Sequence, residues 1–87
     1  MPGPPLNSRD SSANNLLRRV GSNVRALRER RSLTQDYLAF TAGLATRHLQ
    51  KIEAGQVNLT LRTMARLAKA LNVDVELLAA RALDPES

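Results

Sequence analysis

Arg18, Arg19, Arg25, Arg28, Arg30 and Arg31 crowd residues 14–31 with Glu29 as the one acid among them, and Arg62, Arg66 and Lys69 form a second basic stretch over 55–71. From Asn72 the balance reverses, with Asp74, Glu76, Asp84 and Glu86. Each Lys or Arg beside a phosphate releases condensed counterions, so basic side chains grouped in this way are the footprint of a polyanion binder. Arginine-rich helix faces can equally serve only to keep a small protein in solution. The formal charge is +5, from thirteen basic and eight acidic residues, and the charge is polarised along the chain.

Other chemistries find little support. No His is paired with a nucleophile, there is no Gly-rich phosphate loop and no His-Glu-x-x-His pair, and half of the eight carboxylates lie in the acidic tail, so the chain is not expected to be an enzyme. Cysteine is absent, which leaves neither a disulfide framework nor a Cys-based zinc site. His48 has no second His or Cys to share a metal and reads as a surface residue; no metal and no cofactor are expected. The longest apolar runs, such as Leu77-Leu78-Ala79-Ala80, are too short to span a membrane, and Met1-Pro-Gly-Pro-Pro lacks the basic start and apolar stretch of a signal peptide. A cytoplasmic protein with no membrane partner is the expectation.

The elements that must hold the basic side chains follow from periodicity and punctuation. At 87 residues the chain has room for one small core. Residues 1–13 are rich in Pro, Gly, Asn and Ser and read as a flexible arm, with Arg9 offset by Asp10. Leu16, Val20, Val24 and Leu27, with Leu17 beside them, form a helical stripe that ends near Arg31. Gly21 within it costs about 1 kcal/mol relative to Ala, which predicts a helix that is weak or partly formed before Ser22. A second helix runs from Thr34 to Ala42, with Thr34 as N-cap, Asp36 in its first turn, Leu33 and Leu38 as a hydrophobic staple, and Tyr37 and Phe40 flanking the buried face near the core. Gly43 supplies the left-handed residue that stops it.

A third helix, Ala45 to Ala54, buries Leu49 and Ile52 and closes at Gly55. Thr60 caps a fourth, with the stripe Leu61, Met64, Leu67, Ala68 and Leu71, which ends at Asn72. Asp74 caps a fifth that runs to about Ala82 before Asp84-Pro85 stops it. No segment alternates with a period of two, so the fold is all-α, five helices joined by short loops over residues 14–83, with 84–87 as a tail. Helices two and three are short and joined by a tight Gly turn, the geometry that lets the second of a pair project into a DNA major groove. Ala39 is small where the helices touch, Gly43 makes the turn, and Leu49 and Ile52 anchor the next helix.

Leu33-Thr34-Gln35-Asp36-Tyr37-Leu38-Ala39 through Gly43-Leu44, then Leu49-Gln50-Lys51-Ile52-Glu53-Ala54-Gly55, resembles the Xre-type, lambda-repressor-like helix-turn-helix family. Val24-Arg25-Ala26-Leu27-Arg28 before and Met64 to Val73 after extend the resemblance over about residues 21–80. It implies a five-helix domain, usually dimeric, that docks its third helix in the major groove of double-stranded DNA and often represses transcription. It implies base-reading positions at Thr46, Arg47, Gln50 and Lys51, where Arg and Lys could donate to guanine, Gln could pair with adenine and Thr could touch a thymine methyl.

By the same resemblance Gln35 contacts the DNA backbone, and Arg28 pairs with Glu53 across the first and third helices, which counts both as structural. Asn58 is a phosphate contact or a turn former. Arg25, Arg62 and Arg66 are further backbone candidates. The sequence departs from the family at Ala45, where Ser or Thr usually caps the third helix at a benefit of about 1 kcal/mol. Either that helix starts at Thr46, or its first turn frays and tightens on a phosphate.

The rival reading is a helical protein-interaction module, an adaptor or antitoxin-type partner on the same fold. Such a surface would favour aromatic or aliphatic anchors on the third helix, which instead offers Thr46, Arg47, His48, Gln50 and Lys51. RNA binding ranks below both, because Tyr37 and Phe40 are expected near the core and leave no stacking platform. Val75, Leu77, Leu78 and Leu83 are more apolar surface than the last helix of so small a core needs, so a homodimer through the fifth helix and C-terminal region is expected. A further protein partner is left open.

Overall fold

The computed structural model describes residues 11–81, which form α1 (Ser11–Arg30), α2 (Gln35–Ala42), α3 (Thr46–Glu53), α4 (Leu61–Leu71) and α5 (Val75–Leu78). Among the described residues there is no strand, and no helix is long and apolar enough to cross a membrane. Val20, Val24 and Leu27 of α1 meet Leu38, Ala39 and Ala42 of α2, Leu49 and Ile52 of α3, Leu67, Ala68 and Leu71 of α4, and Leu78 of α5 in one core. α2 packs on α3 and α4, while α1 crosses α3 and α5 and closes the far side.

Four helices stop by the same device. Ser32, Gly43, Gly55 and Asn72 adopt positive φ, and each lets the next residue's amide reach back across the last turn. Leu33 donates to the Arg28 carbonyl, Leu44 to Ala39, Gln56 to Lys51 and Val73 to Ala68, at 2.8–3.0 Å. These reach-back bonds satisfy carbonyls that a helix end would otherwise leave bare. At the starts, the Thr34 and Thr60 hydroxyls accept from the amides of Tyr37 and Thr63, as N-caps do.

Several expectations need correction. α1 is continuous through Gly21 and begins at Ser11, so residues 11–13 belong to the helix and not to an arm; residues 1–10 lie outside the described chain. α5 is a single turn ending at Leu78, far short of Ala82, and Asp74 makes no side-chain cap bond there. Its brevity has a cause in α1: the Asn23 amide occupies the carbonyls that a longer helix would need, donating to Leu78 at 3.0 Å and Ala80 at 2.8 Å. Leu61 opens α4 on its solvent side instead of joining the stripe, and Leu16 is likewise exposed. Tyr37 and Phe40 are not near the core; they are 56% and 81% exposed. Leu83 and the tail lie outside the described residues.

Candidate nucleic-acid interface

Leu49 and Ile52 are buried to 1% or less, and with a repeat of 3.6 residues that pins the opposite side of α3 to solvent. Arg47, Gln50 and Lys51 are exposed there and Thr46 is half-buried at the helix start, so the four sequence-predicted base readers share one edge of α3. His48 is half-buried at the border of that face. The helix begins at Thr46: Ala45 is extended and offers no side-chain cap, so the α3 start carries free amides.

A polar cluster adds to the apolar anchor that Leu49 and Ile52 give α3. Arg28 and Glu53 form a two-pronged ion pair, Nε to Oε2 at 2.8 Å and Nη2 to Oε1 at 3.1 Å, with side chains only 11% and 4% exposed. The remaining guanidinium nitrogen donates to the Leu33 carbonyl at 2.8 Å, which ties the α1–α2 turn to the same cluster. Hydrogen bonding to Glu53 raises the Arg28 pKa above its ordinary value, against the opposing pull of burial. Gln35 then extends the cluster toward the exposed edge. Its Nε2 donates to Glu53 Oε1 at 3.0 Å, and its Oε1 accepts from Gln50 Nε2 at 3.4 Å. A chain of contacts thus runs from the protein interior at Arg28 to a side chain on the solvent edge of α3.

Two residues have a structural role that the sequence reading did not assign, Asp36 at this site and Asn23 against the α5 end of the chain. Asp36 Oδ1 accepts from the Thr46 hydroxyl at 2.8 Å, so the first turns of α2 and α3 are latched. An acid in a first turn reads as a dipole partner, and that reading hides its second function. Asn23, only 7% exposed, sits in register with Val20 and Leu27, a polar residue in an apolar stripe. That register was the available signal. The backbone candidates are dispersed: Asn58 and Arg62 are exposed beyond α3, whereas Arg25 is exposed on α1 and engaged with Glu29 at 3.3 Å.

Two short helices at a left-handed glycine turn, the second with a polar solvent edge clamped from behind, define a helix-turn-helix DNA-binding domain. The profile of the helix-turn-helix family HTH_3 matches residues 24–78, more than half of the chain, and the chain belongs to that family. It is a DNA-binding regulator of transcription. Control protein C.SmaI of Serratia marcescens is 39% identical over 62 residues, which are 71% of this chain and 74% of that protein. The immunity repressor protein of Bacillus phage phi105 is 39% identical over 56 residues, 64% of this chain but 39% of that protein. Among solved structures, the restriction-modification controller protein C.AhdI of Aeromonas hydrophila is 35% identical and superposes with a TM-score of 0.70, covering 71% of this chain and 94% of its own.

Proposed function

We propose that the chain is a sequence-specific repressor that inserts α3 into the major groove and reads bases with Thr46, Arg47, Gln50 and Lys51. The observation that carries this reading is the solvent edge of α3: exposed donors of the right kinds, braced by the half-buried Arg28–Glu53 pair, on a helix whose other side is sunk in the core. Gln35, Asn58 and Arg62 supply phosphate contacts beside it, and Arg25 a peripheral one. Repression is supported by the likeness to an immunity repressor, and the same reading places the protein in the cytoplasm, at the nucleoid. The protein acts by occupying DNA and not by catalysis.

The functional unit is a homodimer through α5 and the C-terminal region. Val75 is exposed and Leu77 half-buried on that short helix, an apolar strip that a twofold partner would cover. Two copies would set their recognition helices about 34–36 Å apart, one turn of DNA, and read a pseudo-palindrome.

Selection of binding sites from a random duplex pool tests both parts. A symmetric motif is expected, bound with an affinity that falls steeply as salt rises. If no sequence is enriched and duplex DNA is not bound even at low salt, the reading fails. Sedimentation that finds a monomer at tens of micromolar, with and without DNA, removes the dimer.

A further inference from the structure

The chain contains one Tyr and one Phe, and both stand in solvent on α2. Three residues apart, they share the side of the helix directly opposite buried Leu38, Ala39 and Ala42. Thr41, four residues after Tyr37, continues that side, its hydroxyl turned inward to the Tyr37 and Leu38 carbonyls at 3.1 Å. Thr41 also forms one wall of an open groove of about 440 Å³ between the end of α2 and the last turns of α4, with Ala42, Gly43 and Ala70 as small residues and Arg66 and Lys69 as cations. No acid lines the groove, and among the described residues neither Arg66 nor Lys69 has an ion-pair partner.

We infer that the outer face of α2 with this groove is a docking surface for a segment of another protein that carries acidic side chains around a bulky apolar one. Aromatic side chains are favoured as binding anchors because they bury much area and freeze few torsions, and two of them placed side by side in water are not explained by folding. The small residues leave room for an incoming apolar side chain, and the paired cations set the charge of its neighbours. Duplex DNA is a poor occupant. It has no apolar anchor to offer Phe40, and the DNA edge of α3 meets the other end of α2, at Gln35 and Asp36. A second copy is also a poor occupant. Its acidic α5 region would seat head-to-tail, and such contacts build rings or open chains in place of a twofold dimer.

None of the base-reading positions on α3 lines this surface, so the test reads both. A displayed library of short random peptides is panned against the full chain, and the winning peptide is measured by fluorescence anisotropy. The winners are expected to combine acids with a large apolar residue, and Phe40→Ser and Lys69→Glu should each weaken the winner about tenfold or more while the base preference on selected duplex DNA stays as before. Should Phe40→Ser lower the melting temperature, Lys69→Glu alone decides. The inference is overturned if no peptide is enriched, if neither substitution weakens the winner, if the winner competes with DNA, or if Phe40→Ser abolishes self-association. Failure of the unaltered chain to bind any DNA would strike the proposed regulator function and leave the peptide result standing.

Discussion

Gly21 of α1 lies directly against the carbonyl oxygen of Ile52 in α3, so close that a Cβ at position 21 would overlap it and would stand 3.0 Å from the Glu53 carbonyl as well. The crossing of α1 over the recognition helix depends on that missing side chain. Helix propensity alone says that Gly21→Ala should stabilise by up to about 1 kcal/mol. The backbone atoms in the way cannot yield without moving α3, so the substitution is expected to destabilise by about 2 kcal/mol or more, as overpacked cores do. Urea denaturation measures the sign, and a gain in stability would refute the close crossing. Gly43→Ala is a contrasting case. Its added Cβ meets nothing within 4 Å, and only the positive φ of 71° is strained, at about 1 kcal/mol.

Glu53→Ala leaves the Arg28 guanidinium without its carboxylate in a site where the Arg28 side chain is only 11% exposed. Breaking one member of such a pair is expected to cost about 3 kcal/mol, most of it from the stranded charge. Arg28→Met combined with Glu53→Leu should recover much of that loss, because no charge is then left behind. A double variant as unstable as Glu53→Ala would mean that the pair itself, and not the stranded charge, carries the stability.

Much of this architecture is legible in residue types and spacing, and the failures share a cause. Thr34, Gly43, Thr60 and Asn72 mark helix ends through bonds made within a few residues, so local grammar finds them. Gly21 and Asn23 act across the fold, on α3 and α5, and a local reading assigns one a weak helix and the other nothing. The same limit misjudged α5: Asp74 and the apolar pattern allow a longer helix, but Asn23 and Arg19, whose guanidinium reaches the Ala79 carbonyl at 3.4 Å, turn the chain after Leu78. Tyr37 and Phe40 mislead in the opposite direction, since apolar character predicts burial and a surface kept for another molecule violates that rule. The solvent edge of α3 was readable because Leu49 and Ile52 fix the phase of a helix only two turns long. The Gln35 bridge between Glu53 and Gln50 joins α2 to α3 across 15–18 residues of sequence and has no local signature.

Asn23 offers a test of the α1–α5 tie. Asn23→Ala removes the donor shared by the Leu78 and Ala80 carbonyls and should cost about 1–3 kcal/mol, the usual penalty when buried acceptors lose their partner. Asn23→Asp should cost more, because a carboxylate would face those same carbonyl oxygens. If α5 forms the dimer surface, both substitutions also shift the sedimentation profile toward monomer. A shift in stability with α5 amide exchange unchanged would show that the tie is not what holds the turn.

The division between base reading and phosphate anchoring predicts different signatures for Arg47 and Arg62. Arg47→Ala should relax preference at one base position by about 1–3 kcal/mol and leave the others intact. Arg62→Ala should weaken cognate and random duplexes alike and flatten the slope of log affinity against log salt by about 0.9, one counterion's worth. Gln35→Ala should do both. The proposed phosphate contact would be lost for every sequence, and Gln50, deprived of its 3.4 Å partner, would lose its orientation at the one base it is proposed to read. Titrations of the selected site and of single-base variants, each over a salt series, separate the three patterns. If Gln35→Ala weakens all duplexes equally, the bridge to Gln50 has no part in reading sequence. Equal losses on cognate and random DNA from Arg47→Ala would remove it from the recognition set.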